Sequence, residues 1–247
     1  MKGGAIRLFS FAGIQVYLHF TWFIVAALQV TSFAQRYSSP IWAALEYIGL
    51  FVIVLLHEFG HALACRQTGG VADRIILWPL GGIAFVNPPP RPGAYLWSIA
   101  AGPLVNAVLF PILSSLLAAA TNAQWMETHP DPYLLVLWMW RINTALLVFN
   151  LLPIYPLDGG QILRGLLWFA VGQIRSLQIS SMIGFGGAIV LLLFAFQQRS
   201  IWLGLLSFFV LTQAQAGWRY AQALALQSKA VGLPPAETPP PVPGQRL

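Results

Sequence analysis

The chain has 247 residues, of which 57% are hydrophobic and only 8% charged, with a mean hydropathy of +0.70. Soluble domains carry about a quarter charged residues, so this composition excludes an ordinary soluble domain and indicates an integral membrane protein. The net charge of +6 does not indicate nucleic acid, because the 13 Lys and Arg are scattered between apolar stretches, and the single cysteine, Cys65, excludes both an internal disulfide and a Cys-rich metal site.

Six apolar stretches follow one another, at residues 14–33, 41–65, 94–121, 133–152, 177–196 and 201–218. Each is long enough to cross a bilayer, which takes about 20 helical residues. The first is not a cleaved signal peptide, since its apolar run is too long and no small-residue cleavage site follows. Between the second and third, residues 71–86 read VADRIILWPLGGIAFV, apolar but too short to span. Ile75, Ile76, Ile83 and Val86 favour strand, while Pro79 and the Gly81-Gly82 pair divide the run. A hairpin dipping into the membrane fits this pattern where protein or a wet cavity covers its backbone; the competing reading is an amphipathic surface loop. The expected fold is an all-α polytopic membrane protein of six transmembrane helices, with a small membrane-embedded β-hairpin after the second. Residues 1–229 form the membrane domain, and residues 230–247, with six prolines, read as a disordered cytoplasmic tail.

Basic residues set the orientation. Lys2, Arg7, Arg66, Arg74, Arg91, Arg164, Arg175, Arg219, Lys229 and Arg246 fall on one side, against Arg36 and Arg199 on the other. Both termini are therefore expected in the cytoplasm.

The second span ends in His57-Glu58-Phe59-Gly60-His61. Histidines at i and i+4 share a helical face and can hold one zinc, with the intervening glutamate placed as general base. Ionisable groups in a span are costly and mark function. His57 is nine residues before Arg66, about 13 Å along a helix, which submerges the site near the cytoplasmic face. Two histidines leave a catalytic zinc one protein ligand short. Asp158, in Asn150-Leu-Leu-Pro-Ile-Tyr-Pro-Leu-Asp-Gly-Gly160, is the acidic residue at the matching depth, with His19 the next candidate. Pro153 and Pro156 stop the preceding helix so that the chain can turn inward.

HEFGH in a span, with Asn150, Pro153, Pro156, Leu157, Asp158 and Gly159 at the end of a later one, resembles the site-2 protease family of intramembrane zinc metalloproteases. Ala101-Gly-Pro-Leu-Val-Asn106 is similar to another recurrent motif of that family, and Pro79-Leu-Gly-Gly82 to its embedded hairpin. The resemblance covers residues 14–161 by motif and the last two spans by count. It implies a multi-pass protein of a bacterial or archaeal membrane, with His57, His61 and Asp158 on one zinc ion and Glu58 as base. It also implies cleavage of single-span membrane substrates such as anti-sigma factors or signal-peptide remnants. The chain has no room for the PDZ or nucleotide-binding regulatory domain of larger members, and nothing in it indicates an oligomer. Asn150 and Asn106 can hold substrate backbone or a developing oxyanion; for Asn106 the competing reading is a polar contact between helices. Gly81, Gly82 and Ile83 fall at the hairpin edge, where an extended substrate can add as a strand.

The alternative function is a catalytically silent membrane chaperone or binding protein, against which the intact Glu58 and Asp158 argue; a third reading, a transporter with an incidental zinc site, is disfavoured because the sequence shows no paired repeats or broken-helix symmetry. His19 reads as a hydrogen-bonded packing histidine, and Glu46 and Arg141 as an ion pair in the outer half of the membrane. A reporter fused after Arg219 is expected to read cytoplasmic, and one inserted near Gln124 to read on the opposite side. The reverse pattern would overturn this topology.

Overall fold

The computed structural model describes residues 4–78 and 81–231, so Pro79, Leu80 and the expected tail beyond Val231 lie outside the described residues. In chain order the elements are β1 (Ala5–Phe11), β2 (Ile14–His19), α1 (Thr21–Ala34), α2 (Pro40–Gln67), β3 (Val71–Trp78) and β4 (Gly81–Asn87). They continue with α3 (Pro92–Asn122), α4 (Trp125–Thr128), α5 (Pro130–Asn150), α6 (Asp158–Gln197) and α7 (Ile201–Val231). Among the described residues five helices, α2, α3, α5, α6 and α7, are long and apolar enough to cross a membrane.

The sequence placed a sixth span at residues 14–33, and here the structure differs. Ile14–His19 is a strand, and α1 has only 14 residues, about 21 Å of helix. Ile14, Val16 and Leu18 are buried, and strand side chains alternate between faces. The Ala12-Gly13 turn before it has φ of +49° and +75°, which lets β1 fold back on β2.

The described residues fall into two compact units, one within 4–87 with 101–148, the other 88–100 with 149–231. In the first, the four strands form one sheet in the order β1-β2-β3-β4. The hairpin expected at residues 71–86 is present as β3 and β4, antiparallel, with Ile76 opposite Ile83. It is not isolated, because β2 pairs with β3 in parallel. Arg66, at the end of α2, ties the sheet together. Its guanidinium donates to the carbonyls of Ala12, Gly13 (3.2 Å) and Ala72 (2.9 Å), satisfying two turn acceptors and one at the start of β3 with one fixed fork. The core beneath is Ile14, Val16, Leu18, Val54, Ala62, Cys65, Ile75 and Leu77.

The other end of this unit holds its own polar cluster. Glu46 has no exposed surface, accepts from the Tyr37 hydroxyl at 2.8 Å and lies 3.6 Å from Arg36. Burial and the neighbouring carboxylate push the Tyr37 phenol up, so it stays protonated as the donor. Glu46 thus pairs with Arg36 and not with Arg141, whose guanidinium instead lies 4.9 Å from the Trp138 ring centre. Asp131, at the start of α5, accepts from the backbone N–H of Ser38 at 3.1 Å and from its hydroxyl.

In the second unit α6 and α7 pack antiparallel through small residues. Gly184 approaches Ala214, Gly217 approaches Ser181, and the Ser207 hydroxyl donates to the Ala188 carbonyl at 2.7 Å. Helix α6 is broken at Gly172, whose φ of +80° is a conformation that glycine reaches without strain. The apolar stretch read at 177–196 begins 19 residues after the helix does, because Arg164 and Arg175 interrupt the hydropathy of its first part. Residues such as Val108, Ile112, Ile189, Leu193 and Phe208 are exposed on the helices. Such faces are at home against lipid tails, which are as apolar as leucine.

Candidate metal centre

Helix α2 turns His57, Glu58 and His61 inward, each no more than 6% exposed. Their burial depends on a close approach by α3. A β-carbon on Gly60 would lie 2.6 Å from the Ala101 carbonyl oxygen, and one on Gly102 would occupy the space of the His61 ring. Small residues at helix interfaces allow such contact in membranes, and here they decide how near the imidazoles sit to α3.

The Nε2 atoms of His57 and His61 face each other 3.1 Å apart. Two nitrogens each about 2.05 Å from one tetrahedral zinc would be separated by about 3.3 Å. The donor set therefore fits zinc, and the arrangement suits a proton or a metal ion held between the rings. Behind it, His57 Nδ1 lies 2.6 Å from Asn106 Oδ1, and Asn106 Nδ2 donates to Asn143 Oδ1 at 2.8 Å. Asn106 and Asn143 have no exposed surface. Both side-chain amide atoms of Asn106 are thus engaged by protein groups on neighbouring helices.

Glu58 meets the sheet. Its Oε2 accepts from the Ala84 backbone N–H at 2.8 Å, and a β-carbon on Gly82 would collide with its side chain. Since β4 is an edge strand, the Ala84 N–H points away from β3, and alternation puts the Gly82 N–H on the same side. Ile83 therefore turns its own N–H toward β3 while its side chain is half exposed. His19 is in β2, stacked 4.0 Å from the Trp78 ring centre, with Nδ1 2.7 Å from the Thr21 hydroxyl. It is a packing histidine with its hydrogen bond met.

Asn150 and Asp158 belong to the second unit. Asn150 is the last residue of α5, and Asp158 opens α6, partly buried, after the Pro153 and Pro156 turns. Gly159 and Gly160 lie against the backbone of residues 151–155, too close for any β-carbon, which folds the motif tightly onto the helix start.

Sequence reasoning missed Asn143 and the Ala84 donor. A lone amide in an apolar span was a signal for the first; no sequence signal marks a backbone N–H for the second.

A family model described as Peptidase family M50 matches residues 45–131 and 113–194. The chain belongs to that family, which includes the site-2 proteases. It is 35% identical over 206 residues to a zinc metalloprotease of Methanocaldococcus jannaschii, covering 83% of this chain and 58% of that protein. It is also 35% identical over 118 residues to stage IV sporulation protein FB of Bacillus subtilis, covering 46% of this chain and 37% of that one. The solved structure of a site-2 protease from Methanocaldococcus jannaschii matches with a TM-score of 0.59 and 32% identity, over 87% of this chain and 95% of the other. The chain spans less than three-fifths of the length of the curated relatives named here.

Gly102→Ala drives a methyl group into the His61 ring. It is expected to weaken zinc binding by about tenfold or more, the scale seen when a metal histidine loses its support, as read by chelator competition on purified protein. Unchanged affinity would mean that the α2–α3 contact does not set the imidazole position.

Proposed function

We propose that the chain is a zinc-dependent intramembrane endopeptidase that hydrolyses peptide bonds in the transmembrane segments of membrane-tethered proteins. The observation that carries this reading is the buried His57–Glu58–His61 face, with two imidazole nitrogens 3.1 Å apart and a carboxylate beside them. Asp158 is proposed as the third protein ligand, on the grounds of its carboxylate chemistry and its place in a motif resembling that of the site-2 proteases. Zinc, when bound, supplies the Lewis acidity that polarises a carbonyl and makes water nucleophilic near neutral pH.

The chain's own residues do the rest. Glu58 takes the proton of the attacking water and passes it to the leaving amine. The Ala84 N–H, 2.8 Å from Oε2, holds that carboxylate in one orientation. A substrate helix hides its carbonyls in hydrogen bonds, so cleavage needs an extended segment. The edge of β4 offers one by strand addition, and Asn150 holds substrate backbone from the other motif. Sidedness follows the basic residues, with the termini and the site toward the cytoplasm. Substrates of the anti-sigma or signal-peptide-remnant class have their cleaved bond within reach of that side.

Two variants test this with a single-span substrate in co-expression. Glu58→Gln is expected to abolish cleavage, by at least about a hundredfold for loss of a general base, while zinc stays bound. Full turnover would reject the mechanism and favour a silent binding protein on this fold. Asp158→Ala is expected to lower both zinc content and cleavage. Stoichiometric zinc in that variant would place the third ligand elsewhere.

A further inference from the structure

The buried amides behind His57 form a chain whose polarity can be worked out from one fixed point. The Asn143 side chain lies 3.0 Å from the main-chain carbonyl of Asn106. A carbonyl oxygen can only accept, so the atom facing it must be Nδ2. That turns Asn143 Oδ1 toward the Asn106 side chain, where it can only accept, so the Asn106 atom 2.8 Å away must be Nδ2. Asn106 Oδ1 is then the atom 2.6 Å from His57 Nδ1. An amide oxygen has no proton to give, so Nδ1 must carry one, and in the neutral ring Nε2 then holds the lone pair. Amide orientations are ordinarily ambiguous. Here a main-chain carbonyl at one end settles all three groups in turn.

We propose that Asn143 is a positioning residue for the metal centre. It locks the Asn106 amide in one orientation and thereby holds His57 as the Nδ1–H tautomer, with Nε2 ready to bind zinc. The proposal rests on the zinc-site reading given above. Without Asn143, the Asn106 amide is free to turn over. Its Nδ2 would then face His57 Nδ1 and favour the opposite tautomer, which puts a proton where the metal must bind. The usual second partner of a metal histidine is a carboxylate, a main-chain carbonyl or water; the first two accept in whatever rotation they adopt, and water can turn freely to accept. A carboxamide does not, which is why this relay needs a second amide to define its direction. All members sit on three helices of one unit, α2, α3 and α5, and none of the three amide contacts reaches solvent.

The test uses the full chain purified in detergent, with zinc affinity read by chelator competition. Asn143→Leu is expected to weaken zinc binding about 10- to 100-fold, as does Asn106→Leu. Because Asn143 acts through Asn106, the double variant should bind no more weakly than Asn106→Leu alone, within about twofold. A double variant weaker by the product of the two single effects would show that Asn143 acts by general packing and would overturn the relay. So would an unaffected Asn143→Leu. A second measurement needs no variant at position 143. In ¹⁵N NMR of histidine-labelled, metal-free wild type, with the His57 signals assigned by His57→Gln, Nδ1 is expected to carry the proton, and a proton on Nε2 would overturn the proposal. Failure of the wild type to bind zinc would instead overturn the metal reading itself.

Discussion

Helix α2 carries two imidazoles and a carboxylate on its buried face, where little solvent is left to hydrate them. Each must be answered by a fixed partner or its burial is too costly. The partners come from everything that surrounds α2. Asn106 on α3 answers His57, the Ala84 backbone on β4 answers Glu58, and the two imidazoles answer each other across a gap of metal size. The glycines at 60 and 102 follow from the same constraint, since a side chain at either would push α3 away from these groups.

The sheet is also explained by this demand. A lone β3–β4 hairpin would be marginal, because two-stranded ribbons have little stability of their own. Pairing with β2 and β1 makes four strands, and Arg66 fixes the Ala12–Gly13 turn and the start of β3 to the end of α2. The helix that holds the histidines thereby also holds the strand that orients Glu58. Chemistry and scaffold share one rigid element.

At the far end of the same helix, Glu46 is buried with Tyr37 and Arg36, and Asp131 gathers the Ser38 amide and hydroxyl. These contacts join the loop before α2 to both α2 and α5. Helix α2 is thus held by polar contacts at both ends and by close apolar packing between them. Under the proposed function, α2 must present Glu58 and the imidazoles precisely, and such a helix benefits from both.

The sequence by itself determined the membrane class, the spans at 94–121 and 133–152, the hairpin at 71–86 and the two histidines of HEFGH that share a helix face. These are local properties, carried by hydropathy, period and spacing within a few turns. It also carried the family resemblance, because short motifs survive without knowledge of their partners. The tertiary structure alone decided what non-local contacts control. Ile14–His19 became a strand because β3 offered it a parallel partner, although its apolar residues read equally well as the start of a span. Glu46 took Arg36 instead of Arg141, a choice between two equally basic residues that only geometry could make. Asn106 met His57 across 49 positions and Asn143 across 37. An amide in an apolar helix announces that it needs a partner, but which partner, and in which orientation, is settled only when the helices pack.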